Sequence, residues 1–296
     1  MRVEIRPDDR TAAARALRVR YWVGECLRQT GSENLHALAR FVEPELSWCN
    51  PESGERSWTN KWRCYSKGSR TPREVFVDRV ANLEIAGHSC AETKRVFNHV
   101  LWELLAVEDP KPVHVGRWFA RLGPELSPIF HSVRWLPATS SDPAIPELGL
   151  RQFRQLERRI GLDSLAIATL VFLQASNRRN KKLTALTGFA TVQLLHLLFP
   201  TLLELGVAEP MLAFYKRWVV NGREGVQTTF SLASDIAGRV QLMTALMSTM
   251  RQKGGCMDTI KDRERELRAV FDGCYGWPIR DLLLCTNVGD HDLVAP

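Results

Sequence analysis

Residues 183 to 203, LTALTGFATVQLLHLLFPTLL, carry no formal charge over twenty-one positions. A run of that length must leave water, so it either crosses a bilayer or forms a core that the rest of the chain has to cover. Its composition decides between the two. Four threonines, Gln193, His196 and Pro200 lower its hydropathy, and the apolar segment before it, Ser164 to Asn177, is too short to make a spanning hairpin. The run therefore predicts a central helix of a helical domain, and a membrane partner is not expected.

The remaining segments agree with an all-α fold, because apolar residues recur at helical spacing and no series of alternating strands is present. Helices are expected over 10–29 and from Glu33, where Leu35, Leu38, Ala39 and Val42 share a face. Thr71 and Glu74 form a T-x-x-E capping box with Pro72 at the first helical position, which predicts a helix to Gly87. Ser89 and Glu92 repeat the device for a helix carrying Phe97, Val100, Leu101, Leu104 and Leu105, ending before Pro110. A short helix holds Trp118 and Phe119. Three prolines and several small polar residues in LPATSSDPAIP, 136–146, read as a linker. Beyond it, helices are expected at 148–160, 163–177, 183–205, 209–220, 226–252, 259–272 and 278–285. The expected organisation is a helix-turn-helix-like DNA-binding domain over 1–106 and a connecting region over 107–146. A larger helical bundle for assembly or sensing follows over 147–296.

Charge and cysteine usage narrow the setting. Lys+Arg 40 against Asp+Glu 33 leaves +7, which permits an anionic partner without demanding one. The seven cysteines are odd in number and scattered, and the start, MRVEIRPDDR, is charged where a secretory signal needs an apolar core. A reducing, cytoplasmic setting is expected.

The basic excess is concentrated. From Arg56 to Arg79 there are seven cationic and two acidic residues, a local +5. A helix over 57–67, opened by Ser57 as N-cap and closed by Gly68, places Trp58, Trp62 and Tyr65 within about 60° of one another. Asn60, Arg63, Cys64 and Lys67 fall on the opposite side. An aromatic face that packs and a polar face that projects are what a recognition helix requires. Asn reads adenine and Arg reads guanine bidentately, so Asn60, Arg63 and Lys67 are the candidate groove contacts. Lys61, Arg70 and Arg73 are the candidate phosphate contacts.

Tyr65 to Pro72, Y-S-K-G-S-R-T-P, resembles the aromatic-x-x-Gly-x-x-x-Pro ending of recognition helices in phage-repressor-like helix-turn-helix proteins. Leu38-Ala39-Arg40 in the preceding helix extends that likeness. The wider pattern, N-K-W-x-x-Y-x-x-G with N-H-x-L-W at Asn98 to Trp102, is similar to a group of uncharacterised bacterial proteins over about residues 16–106. The first resemblance implies binding to double-stranded DNA. One feature departs from it: ELSWCNPESGER intervenes between Glu43 and Ser57, where such units have a turn of three or four residues.

A second basic region runs over 151–182, with eight cationic and two acidic residues. It comprises Arg151, Arg154, Arg158 and Arg159, then the turn S-N-R-R-N-K-K with Arg178, Arg179, Lys181 and Lys182. It reads either as a strip for a phosphate backbone or as a solvated helix face and hairpin tip.

No catalytic residue, metal or cofactor is expected. Cys49, Cys64, His88 and Cys90 flank the first basic segment without the close pairs of a zinc site. Nucleotide-loop, zinc-hydrolase, deaminase and nucleophile-elbow motifs are absent, and Asp290, His291 and Asp292 read as a solvated tail. His99 and His196 read as core histidines, and Trp22, Trp102, Trp118 and Trp218 as packing anchors. The function expected is that of a DNA-binding regulator or DNA-recognition component, dimeric through its C-terminal helices. The alternative is a non-enzymatic accessory or scaffold subunit of a bacterial nucleoprotein or defence assembly, its basic helix contacting RNA or protein.

Overall fold

Helical spacing of apolar residues is realised along the chain, whose computed structural model is all-α. It describes residues 7–44, 48–49, 56–57, 60–85, 88–108, 112–122, 126–130, 133–138, 144–220, 236–252, 255, 257–272 and 274. Strand pairing among the described residues is confined to antiparallel ladders of two residues per strand. The chain divides into two units. The first holds Met1–Ala106 and Leu202–Ala208; the second holds Val107–Thr201 and Glu209–Pro296.

The first unit is laid along α1 (Pro7–Thr30), followed by α2 (Leu35–Val42), α3 (Lys61–Ser66), α4 (Glu74–Ala81), α5 (Ala91–Phe97) and α6 (Val100–Ala106). Asn34 opens α2 by accepting the Ala37 amide at 2.9 Å. Several expected boundaries move. Ser57 does not cap a helix: β1 (Trp48–Cys49) pairs with β2 (Arg56–Ser57), and α3 starts only after Asn60. Thr71 and Pro72 precede α4, whose N-cap position is Arg73, and α4 stops at Ala81 instead of Gly87. The chain then enters the hairpin of β3 (Glu84–Ile85) and β4 (His88–Ser89). The helix expected from Ser89 to Pro110 is broken at Asn98 and His99, where the His99 Nδ1 accepts the Leu101 amide at 3.1 Å and starts α6.

Trp22 is the centre of this unit. Its indole stacks on Trp62 with ring centroids 5.5 Å apart and planes 12° from parallel, while Tyr65, Phe76 and Phe97 meet it edge-on. Leu38, Val42, Val77 and Val80 complete the core. Gly24 admits the segment Leu202–Ala208, since a Cβ there would lie 2.4 Å from the Leu205 carbonyl oxygen.

The second unit contains α7 (Pro112–Arg121), α8 (Ser127–Phe130), α9 (Leu150–Arg158), α10 (Leu162–Asn177) and α11 (Lys181–Leu197), then α12 (Phe199–Glu204), which runs on into the first unit. After α13 (Ala208–Phe214) come a π-helical turn (Tyr215–Val220), α14 (Ile236–Gln252) and α15 (Ile260–Phe271). The 136–146 stretch, expected as a linker, lies inside this unit. Its ends pair as β5 (Trp135–Leu136) and β6 (Ile145–Pro146), with Ile145 and Pro146 buried. Helix expected at 226–235 and 278–285, and the Asp290–Asp292 tail, lie outside the described residues.

The uncharged run occupies α11 and α12 and is mostly buried. No described helix is long and apolar enough to cross a membrane. Two of its threonines are satisfied within the helix: Thr187 and Thr191 donate to carbonyls four residues back at 2.6 and 2.8 Å. Gly188 lets α11 close on Phe172 of α10, whose ring a Cβ would meet at 2.9 Å. Pro200 has no amide to continue the ladder, so the expected 183–205 helix divides at Leu198.

Candidate nucleic-acid interface

The candidate site is built on α3, a helix of six residues. A helix this short is not stable alone, and two aromatic anchors hold it. Trp62 and Tyr65 are buried against Trp22 and Phe76. Trp58, expected on the same face, lies outside the described residues.

The C-terminal end of α3 is fixed by a Schellman motif. Gly68 donates to the Tyr65 carbonyl at 2.8 Å and Ser69 to that of Cys64 at 3.1 Å, with Gly68 at φ +69°. Glycine is required twice over here, because a Cβ would also lie 2.7 to 2.8 Å from the backbone and Cβ of Ala16 on α1. Arg20, also on α1, donates both Nε and Nη2 to the Lys67 carbonyl at 3.0 and 2.8 Å. Through that fork, α1 holds the last turn of α3 and the start of the segment that carries Arg70 and Arg73.

Asn60, Arg63, Lys67, Arg70 and Arg73 are all exposed, and no ion pair joins any of them to another described residue. Two acids of this unit are engaged elsewhere: Asp78 pairs with Lys94 at 2.8 Å, and Glu43 receives Lys61 at 2.5 Å and Arg79 at 3.9 Å. The phenol of Tyr65 is pushed above its ordinary range by burial, with Arg70 and Arg73 pulling it back, so both cations act on this corner.

Lys61 does not join the exposed set. Its ammonium sits against the buried carboxylate of Glu43 and lies 4.0 Å from the centroid of the Phe76 ring. It neutralises an internal charge here. The signal was present in the sequence: at about 100° per residue, Lys61 falls only about 40° from Tyr65 and so borders the packed face. Arg20 had no such signal, since its role depends on a carbonyl forty-seven residues away.

The second candidate patch is the α10–α11 turn. Arg178 caps α10 and donates to the Pro137 carbonyl at 3.1 Å. Arg179 takes the left-handed conformation at φ 55°, and Asn180 accepts the Leu183 amide to start α11. Arg179, Lys181 and Lys182 are exposed.

Among the described residues no group of three or more His, Cys, Asp or Glu side chains could hold a metal ion. Cys90 is buried and Cys64 half-buried, both free thiols; the side chains of Cys49 and His88 lie outside the described residues. Comparison of the chain with protein-family models, curated proteins and solved structures finds no match.

Proposed function

We propose that the first unit binds double-stranded DNA through the outer edge of α3 and the segment that follows it. The observation that carries this reading is the division of one short helix into a buried aromatic face, Trp62 and Tyr65, and an exposed face whose cations form no ion pair with a described residue. In this reading Asn60 and Arg63 face base edges, and Lys67, Arg70 and Arg73 hold phosphates on either side of the Gly68 turn. With the β1–β2 hairpin standing before α3 in place of a tight turn, backbone contacts carry most of the affinity. A regulator or a DNA-recognition component fits this arrangement, and pairing of two copies on two half-sites adds the specificity that six helical residues lack.

The test is retention of genomic DNA fragments by the intact protein in a gel-shift, with Asn60→Ala and Arg63→Ala combined. Loss of sequence preference is expected, with residual salt-sensitive binding. Unchanged specific retention removes the base-reading role. A partner-binding reading draws on Val75, 77% exposed at the start of α4. It is favoured instead if DNA is not retained and Val75→Ser abolishes co-purification with a defined partner.

A further inference from the structure

We infer that the outer face of α9 is a separate binding surface for the sugar-phosphate backbone of nucleic acid, made by Arg151, Arg154 and Arg158. These positions follow one another by three and four residues and so form a single stripe along the helix. With Leu150 and Gln155 they line an open depression of about 460 Å³. All three arginines are exposed, and none forms an ion pair with a described residue.

The opposite side of α9 is firmly seated. Phe153 and Leu156 are buried, the Gln152 carboxamide oxygen accepts the Gly149 amide at 3.1 Å, and Arg268 from α15 donates to the Glu157 carbonyl at 2.6 Å. The stripe is therefore presented on a fixed helix that packs against both α10 and α11.

Like charges stacked at these intervals repel, and a face that serves solubility alone normally intersperses both signs. Three guanidiniums in a row against a concave surface fit a ligand that brings repeated negative charge. Arginine is the side chain whose planar fork matches phosphate oxygens in pairs. Spread over about 10 Å of helix axis, the stripe exceeds what one phosphate can fill, which favours a polymer over a single anion. An anionic bilayer is disfavoured because Leu150 is the sole apolar residue on the stripe, too little to seat a helix in lipid.

This surface lies outside the α3 site, and the two fail separately. Binding of the intact protein to labelled duplex DNA, single-stranded DNA and single-stranded RNA is followed by fluorescence anisotropy across a salt series. Vesicles containing phosphatidylserine form a parallel arm. The triple variant Arg151→Gln, Arg154→Gln, Arg158→Gln is expected to bind nucleic acid at least tenfold more weakly at about 0.1 M salt. Its log–log salt slope should be shallower by about 2 to 3, since each phosphate contact contributes about 0.9 on a duplex. The corresponding triple lysine variant keeps most of that slope, which separates lost charge from lost structure. Wild-type affinity and slope in the glutamine variant overturn the inference while leaving the α3 reading intact. A loss confined to the vesicle arm, or absence of nucleic-acid binding by the unaltered protein, also overturns it. Conversely, a loss in the α9 variant with none on neutralising Arg63, Lys67 and Arg70 upholds α9 and removes the α3 site.

Discussion

The two units solve the problem of a helical core in opposite ways. In the first, α2 to α5 are six to eight residues long and converge on the rings of Trp22, Trp62, Tyr65, Phe76 and Phe97. In the second, α10 and α11 are 16 and 17 residues long and pack through aliphatic side chains, Gly188 and back-bonded threonines. Helices below about twelve residues are marginal on their own, so the short ones depend on a few large contact areas. The long ones distribute the same task over many small contacts. The exposed cations of α3 thus owe their positions to rings on its other face.

The sharpest way to break this contrast is to remove one ring. Trp22→Ala is expected to cost about 3–5 kcal/mol, at the top of the range for core truncations, and to release α3 from α1. Leu195→Ala, equally buried in α11, should cost about 2–4 kcal/mol and leave the first unit folded. Urea titration followed by far-ultraviolet circular dichroism reads both. Equal and small losses, below about 1 kcal/mol, contradict a core organised on Trp22. Trp62→Phe is expected to be milder than Trp62→Ala, because the Trp62 indole N–H has no hydrogen-bond partner among the described residues to lose.

Next in size is the close approach of α1 to the end of α3. Gly68→Ala must place a Cβ inside the Ala16 backbone at a positive φ, and a loss of about 2–3 kcal/mol is expected. Gly31 has φ +63° with no described residue within 4 Å of a Cβ placed there, so Gly31→Ala is expected to bear only the conformational cost, about 1 kcal/mol. Similar losses at the two glycines, measured by thermal unfolding, remove the argument that contact with Ala16 fixes the turn.

The same contrast explains what could be read from the chain. Long helices announce themselves through sustained spacing, so α1, α9, α10 and α15 fall where expected. The division of α3 into Trp62 and Tyr65 inside and Arg63 and Lys67 outside was also legible, because it follows from rotation per residue alone. Two-residue ladders have no period to detect, so β1–β2 displaced the assumed Ser57 cap and β3–β4 truncated α4. The break at Asn98 and His99 was hidden by apolar residues on both sides of it. The engagement of Lys61 was not legible, because its partner, Glu43, comes from another element.

Acid should separate the units as well. His196 is fully buried in the second unit, and burial, reinforced by the charge of Arg239, holds its imidazole down to about 3 from the ordinary 6.5. The unfolded chain takes up that proton first, so the stability tied to neutral His196 is complete above about pH 6.5 and declines toward pH 3. Between pH 6.5 and 5 the loss is expected to be about 2 kcal/mol. Glu264, raised by burial, acts in the opposite sense across the carboxylate range, which makes this upper window the cleaner one. His196→Leu should flatten the slope seen in urea titrations at successive pH values. A slope that persists in that variant assigns the acid sensitivity to another group.

Helix caps give the smallest effects and test the revised boundaries directly. Asn34 caps α2 in the first unit through the Ala37 amide at 2.9 Å, and Thr259 caps α15 in the second, its hydroxyl accepting the Asp262 amide at 3.1 Å. Asn34→Ala and Thr259→Ala are each expected to cost about 1 kcal/mol, because either substitution leaves a first-turn amide without its acceptor. Thr71 has the sequence context of a cap but is exposed and lies outside α4, whose N-cap position is Arg73. Thr71→Ala should therefore change stability by less than about 0.5 kcal/mol. A loss near 1 kcal/mol at Thr71 in the same unfolding assay restores the earlier start of α4. It would also shift Arg73 from a free segment into a helical turn, changing which phosphate it can reach.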